Sequence, residues 1–164
     1  MRARAVLGAL VFAGCSATQA TTTPAAATSV TGSATPATAA VTLSVLPNPV
    51  VTTTSRGPAG SRQLAWQTVL TDSSGVGATV NFLDVTLRNA ATGELAEPQG
   101  VVSLSPTDVV AAAGSNHVPA SGSLVVGQTL AFSNDVDGGR LEIVAQLVDD
   151  NGHVFGVSAI AIVD

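Results

Sequence analysis

Beyond residue 40 the sequence alternates between apolar and polar residues with a period of two, and this feature most constrains the fold. Residues 41–45 and 63–71 alternate clearly. Further such segments cover residues 79–88, 100–104, 123–132, 140–149 and 153–163, and Gly, Asn, Asp or Pro stands in nearly every gap. Successive side chains of a strand point to opposite faces. About seven short strands in residues 41–164 therefore predict an all-β, antiparallel, Ig-like β-sandwich.

Two local departures refine this prediction. The apolar phase slips between Phe82 and Leu83, as a β-bulge would produce. Residues 105–114 break the alternation with a capping Ser105, Pro106 at the first helical position, Asp108 in the first turn and a terminal Gly114. These signals predict a helix of about two turns across one end of the sandwich. An irregular loop with a short strand at residues 109–110 is the alternative.

Composition excludes several classes of protein. Six Arg and no Lys face eleven Asp and Glu, so the net charge is −5, which argues against a nucleic-acid binder. A single Cys cannot form an intrachain disulfide framework or a Cys-rich zinc site. No apolar run reaches the ~18 residues of a membrane-spanning helix.

The first fourteen residues form a predicted export signal, with two Arg followed by the apolar residues 5–13. The Phe-Ala-Gly-Cys sequence at residues 12–15 resembles a bacterial lipobox, although Phe12 stands where Leu is usual. The resemblance implies cleavage before Cys15, a diacylglycerol on its thiol and a fatty acid such as palmitate on its amine. By the same resemblance Ser16 favours the outer membrane. The alternative is cleavage after Ala20 and a periplasmic or secreted product.

Residues 15–40 contain almost only Ala, Thr, Ser and Pro, without charge or alternation. Such a segment buries too little apolar surface to offset its ordering entropy, so a disordered stalk is predicted. The sequence thus divides into a signal peptide (1–14), a stalk (15–40) and one β-sandwich domain (41–164). Four Arg and eleven Asp and Glu follow Cys15, a side-chain charge of −7. Anionic lipid headgroups repel such a domain, so the membrane contact is expected through the lipid anchor only.

The last two strands supply the candidate binding surface. Asn-Gly at residues 151–152 predicts a two-residue hairpin loop. In that register Ile143 faces Ile160 and Leu141 faces Ile162, a set assigned to the core. The opposite face is too apolar for an ordinary wetted surface. It is predicted to bind a partner protein or glycan, unless a neighbouring loop, the helix or residues 50–54 cover it; its members are Val144, Val148, Phe155 and Val157.

Catalytic constellations are sparse. His117 and His153 are the only imidazoles, both in turn-like sequences, and no Gly-x-Ser-x-Gly motif occurs. Adjacent Asp149 and Asp150 would point to opposite faces of a strand and so could not share a site. A non-enzymatic protein without a catalytic residue or cofactor is therefore expected.

Calcium is the one ion that the sequence suggests. Residues 133–138 resemble the first half of a calcium-binding loop, with Asp135 and Asp137 as candidate ligands. Val144 stands where the bidentate Glu is expected, and a plain Asp/Gly turn is the alternative. Further oxygen ligands could come from other loops, namely Asp72, Asp149, Asp150 and Asn151.

Trp66 lies on an alternating strand and is expected in the core. Its surroundings, Leu-Ala-Trp-Gln at residues 64–67, resemble the second strand of an immunoglobulin or fibronectin type III module. With the turn sequences at residues 75–78, 114–122 and 149–152, the chain resembles small bacterial envelope lipoproteins that carry an Ig-like domain. The resemblance implies a lipid-anchored binding or structural module of the envelope. The alternatives are an envelope enzyme, which would need His117, Asp108 and a Ser to converge, a protease inhibitor that uses residues 99–120 as a rigid loop, and a calcium-dependent adhesion module.

Overall fold

The computed structural model describes residues 37–54, 61–134, 136 and 138–164. Within these ranges the chain forms nine strands and one helix, so the predicted all-β fold is confirmed. Two short strands, β2 and β6, lie outside the segments that the alternation predicted. The elements are β1 (Val41–Leu46), β2 (Thr52–Thr54), β3 (Arg62–Asp72), β4 (Ala78–Arg88), β5 (Val101–Leu104), α1 (Pro106–Ala113), β6 (His117–Val118), β7 (Ser123–Phe132), β8 (Arg140–Asp149) and β9 (Val154–Ile162).

The strands form two antiparallel sheets. In the first sheet β3 is central, with β1 and β2 paired along one of its edges and β7 along the other. The second sheet has the order β5-β4-β8-β9, and β6 also pairs with β4. The sheets pack face to face, as expected for a sandwich.

The core follows from the alternation that the sequence shows. Along β3, β7 and β8, buried side chains alternate with more exposed ones. The predicted burial of Trp66 is confirmed. The core between the sheets includes Leu64, Trp66, Leu70, Leu83, Val85, Leu124, Val126, Leu130, Phe132, Leu141, Ile143 and Leu147.

A β-bulge interrupts β4 close to where the sequence predicts it. The register between β4 and β8 shifts between Val80 and Phe82. Asn81 and Phe82 are both partly exposed, and Leu83 returns to the core. The extra residue restores the inward direction of the following apolar side chains.

The predicted helix is confirmed as α1. Ser105 accepts a hydrogen bond from the backbone N–H of Asp108, and the Asp108 carboxylate accepts one from the N–H of Ser105. Gly114 ends the helix in the left-handed conformation, with φ 78°. Val109 is the buried residue of α1, and the helix packs against β4, β5 and β7.

The predicted register of the β8–β9 hairpin is wrong by one residue. Leu147 pairs with Phe155, and Val148 pairs with Val154. Paired residues of an antiparallel ladder share a face, so every side chain of β9 lies on the face opposite to the predicted one. Ile160 and Ile162, predicted in the core, are each 48% exposed.

The Asp149 side chain explains this register. The loop has three residues, 150–152, because the N–H of Gly152 donates to the carbonyl of Asp149 and the N–H of Asp149 donates to the carbonyl of His153. Asp149 Oδ1 also accepts the N–H groups of Asn151 and His153. Gly152 takes the positive φ, 88°, that such a loop requires.

The export signal, the lipobox and residues 15–36 of the predicted stalk lie outside the described residues. In the part of the chain that the structure describes, no helix has the length and apolar character needed to cross a membrane.

Candidate functional site

The four residues predicted to bind a partner do not share one surface. Val144 and Val148 lie on the outer face of β8, as expected. Phe155 and Val157 instead face inward, are half-buried and pack against the core. The one-residue change in register separates the two pairs, so the predicted surface is wrong in its β9 half.

An aliphatic outer face nevertheless exists on this hairpin. Its exposed members are Val144 (38% exposed), Val154 (62%), Ile160 (48%) and Ile162 (48%), joined by the half-buried Val148. Between Val154 and Ile160 the outward positions of β9 hold only Gly156 and Ser158. We call these five aliphatic residues the β8–β9 outer face.

Sequence reasoning missed Val154, Ile160 and Ile162 because the Asn-Gly sequence was assigned to a two-residue loop. The available signal was Asp149, whose short carboxylate favours turns by accepting nearby backbone N–H groups.

Charged residues border this face at the end far from the hairpin loop, and Asp84 of β4 pairs with Val144 beside its middle. Arg140 pairs with Ile162, and Glu142 pairs with Ile160, so both outward charges lie at the far end from the hairpin loop. Across the next ladder Arg88 pairs with Arg140 and Thr86 with Glu142. The face therefore has an apolar strip along β9 and a mixed-charge rim.

The opposite end of the sandwich carries two imidazole–carboxylate pairs. His117 Nε2 lies 3.0 Å from Asp150 Oδ1, and His153 Nδ1 lies 3.0 Å from Asp149 Oδ2. Asp108, considered as a partner for His117, instead accepts hydrogen bonds from Ser105. Within the described ranges, no serine hydroxyl bonds to either imidazole, so the arrangement offers imidazole–carboxylate contacts but no assembled Ser-His-Asp triad.

Asp72 and Asp149 are buried carboxylates whose oxygens are occupied by backbone donors. Asp72 accepts the N–H groups of Ser121 at 2.9 Å and Gly75 at 2.9 Å, and also the Ser74 hydroxyl at 2.7 Å. The Ser121 N–H is the main reason that the pKa of Asp72 lies well below its usual range.

Burial tends to raise the pKa of Asp149, but hydrogen bonds from the backbone and ring of His153 outweigh this effect and lower it. These hydrogen bonds, like those of Asp72, stabilise the charged form of a buried carboxylate, so both side chains have a structural role.

The same two carboxylates hold the segment that leads into β1. Ala39 N–H donates to Asp149 Oδ2 at 3.3 Å, and Ala40 N–H donates to Asp72 Oδ1 at 3.2 Å. The Asn151 side-chain amide donates to the carbonyl of Ala37 at 2.6 Å. Hydrogen bonds to the domain thus include Ala37, four residues before the predicted boundary at residue 41.

The calcium prediction rests mainly on Asp135 and Asp137, and both lie outside the described residues. Next to these positions, the Asn134 side chain accepts from the N–H of Glu97 and donates to the carbonyl of Leu95. Among the residues that are described, no group of three or more His, Cys, Asp or Glu side chains is placed to hold a metal ion.

Residues 99–120, considered as an inhibitory loop, are largely folded into β5, α1 and β6. A cleft of about 890 Å³ lies beside the start of this stretch, lined by Arg88, Asn134 and residues 94–101. It is open and polar, and Arg88 donates there to the carbonyl of Gly93 at 3.3 Å.

Comparisons with known proteins extend the description of the fold. No protein-family model and no curated protein matches the chain. A Northeast Structural Genomics Consortium target superposes with a TM-score of 0.53 at 9% identity, over 76% of this chain and 85% of the other. A Bordetella pertussis structure named "Putative ApaA Protein" superposes with a TM-score of 0.54 at 16% identity, over 76% and 92%. At such identities the chain is similar to these proteins in its fold alone.

Proposed function

We propose that the protein is a non-enzymatic, lipid-anchored module of the bacterial cell envelope that binds another envelope polypeptide through the β8–β9 outer face. The observation that carries the proposal is the exposure of four large aliphatic side chains on this one face: Val144, Val154, Ile160 and Ile162. Exposed aliphatic side chains that lie on one face of a sheet are candidates for an interaction site.

The chemistry of the face favours a polypeptide partner. All five side chains are aliphatic and form no hydrogen bonds, so they gain free energy only by removal of apolar surface from water. Between Val154 and Ile160 the outward positions hold the small residues Gly156 and Ser158, where we expect an apolar side chain of a partner to pack. We infer an apolar protein surface as the occupant.

Charge distinguishes such a partner from a second copy of this chain. The region after Cys15 carries a side-chain charge of −7, from four Arg and eleven Asp and Glu. Two such domains repel each other, whereas a basic partner is attracted at long range. The proposed partner therefore presents an apolar patch flanked by Lys or Arg, and its affinity falls as salt concentration rises.

A photo-crosslinking experiment in the native cells tests the proposal. A photoreactive amino acid at Ile160 samples the β8–β9 outer face, and the same group at Val125 (44% exposed, on β7) is the matched control. We expect a crosslink to one other polypeptide from position 160 and none from 125. Equal crosslinking at both positions, a crosslink to a second copy, or none at either position overturns the proposal.

Binding of the identified polypeptide to the purified protein then measures the energetics. Ile160→Lys weakens binding about tenfold or more if Ile160 is central to the interface, whereas Val125→Lys has no effect. Equal affinities for the two variants contradict the assignment of the face.

The anchor needs a separate test. Mass spectrometry of the mature N-terminus is expected to find Cys15 as the first residue, with its thiol and amine acylated. A free N-terminus at residue 21 would show ordinary signal cleavage and remove the lipid anchor, without affecting the binding face.

A further inference from the structure

Strand β9 is an edge of the second sheet, because it pairs with β8 on one side only. In an antiparallel pair, residues that bond across the ladder alternate with residues whose N–H and C=O point away from it. Ile162 belongs to the second set: its N–H donates to Asn48 Oδ1 at 3.3 Å, and its carbonyl accepts the N–H of Val50 at 2.8 Å. The other residues whose N–H and C=O point to this edge are therefore Val154, Gly156, Ser158 and Ile160.

These four residues, which we call the β9 edge, have main-chain groups that no other part of the described chain uses. None of the four has a hydrogen-bond partner on this side among the described residues. All four are exposed. Because Gly156 has no side chain, its exposure is that of the main chain itself. The β9 edge therefore presents free donors and acceptors at every second residue.

Features that block a sheet edge are missing from β9. Natural proteins protect edges with short strands, charged side chains, Pro or bulges. Strand β9 has nine residues, none of them charged or Pro, and its ladder with β8 has no shift of register. The opposite edge of the sheet differs, because β5 has four residues and α1 packs against it.

The chain itself already pairs with the far end of this edge. Val50 and Val163 form a parallel bridge, and the N–H of Asp164 donates to the carbonyl of Val50 at 3.0 Å. An extended polypeptide is thus accommodated beside the end of β9. The β9 edge continues the same row of groups toward the hairpin loop, at the two-residue spacing that a β-strand matches.

We propose that an extended segment of the partner polypeptide adds to the β9 edge as a further strand of the second sheet. This inference rests on the proposed function and names the way in which the partner binds. Residues 154–160 span about 20 Å, so the partner contributes roughly seven residues. Main-chain hydrogen bonds supply affinity. Every second side chain of the added strand lies beside the β8–β9 outer face and is apolar, because cross-strand neighbours pack against each other.

Crosslinking in the native cells tests the added strand through Ser158. With the photoreactive amino acid at position 160, Ser158→Pro removes an outward N–H and places a ring on the edge, whereas Ser158→Ala keeps the N–H. Pro is tolerated at edge positions whose N–H faces solvent. We expect the crosslink to fall about tenfold or more in Ser158→Pro and to persist in Ser158→Ala.

The outcomes separate this inference from the proposed function. A crosslink of full yield in Ser158→Pro overturns strand addition and leaves the β8–β9 outer face as the binding surface. Loss of the crosslink in both variants also overturns it, because the main chain is then not what binds. No crosslink from position 160 in the unsubstituted background, or one to a second copy, overturns the proposed function as well.

A defined peptide tests the edge on the purified full chain, without a variant that has to fold. The probe alternates Val and Thr between terminal Lys residues, and its control carries N-methyl groups at two adjacent central residues, which block both of its edges. We expect the probe to slow amide exchange of Gly156, Ser158 and Ile160 about tenfold or more, and the control to leave it unchanged. The amides of Phe155 and Val157, which face β8, should not respond. Exchange that the probe does not slow, or that both peptides slow equally, overturns the proposal.

Discussion

The edges of the two sheets come together along two sides of the sandwich, and different contacts close each side. On one side, the segment after β1 reaches across to the end of β9: Val50 N–H donates to the carbonyl of Ile162, and Asp164 N–H donates to the carbonyl of Val50. On the other side, no backbone hydrogen bond joins β5 to β7 in the described residues, and α1 spans the gap. Main-chain pairing closes the first side at the end of β9, whereas helix packing leaves the second with a cavity.

The two sides also differ in their surfaces. The side closed by β9 carries exposed aliphatic side chains on the β8–β9 outer face. The side spanned by α1 has a cavity of about 220 Å³ beside β5 and β7.

The largest expected effect concerns the inner face of β9. Phe155→Asp should lower the free energy of unfolding by about 3 kcal/mol, because it places a carboxylate against the core. Ser158→Asp changes an outward position of the same strand and should stay within about 0.5 kcal/mol of the wild type. Urea unfolding measures both. Similar small losses would mean that Phe155 faces solvent and that the observed register is wrong.

A smaller effect is expected on the other side. Ser105→Ala removes the N-cap of α1 and should cost about 1 kcal/mol. Hydrogen exchange should accelerate in α1 while β9 keeps its protection. Ser103→Ala, at an exposed position of β5, is the control. Equal acceleration in α1 and β9 would show that the two sides do not open independently.

The smallest expected effect is the dependence of the free energy of unfolding on pH. Asp72 and Asp149 have pKa values below the usual one in the folded protein, so the unfolded chain binds more protons. Stability should fall as the pH drops through about 4, the value of an unperturbed Asp. Asp72→Asn should flatten this profile in urea unfolding. An equally steep loss in that variant would assign the acid sensitivity to other groups.

Local signals predicted the fold well. Alternation identified the long strands, and Ser105, Pro106, Asp108 and Gly114 identified α1, because each of these signals acts within a few residues of chain. The bulge in β4 was visible as a change of phase for the same reason.

The candidate sites were less predictable. The faces of β9 depend on whether the hairpin loop has two residues or three, and the Asp149 side chain decides this by accepting N–H groups two and four residues ahead. The burial of Trp66 followed from its strand position, but which strand lies at a sheet edge depends on pairing between segments that are distant in sequence. The sequence contains no local signal for the β9 edge.

The contacts of Ala37, Ala39 and Ala40 have a mechanical consequence. Tension applied at Ala37 acts first on its hydrogen bond from Asn151 and then on those to Asp149 and Asp72, at the ends of the central strands β8 and β3. These bonds stand in front of β1 and must break before the pull can peel that strand from β3. The two aspartates therefore resist tension on the N-terminal segment before the load reaches either sheet.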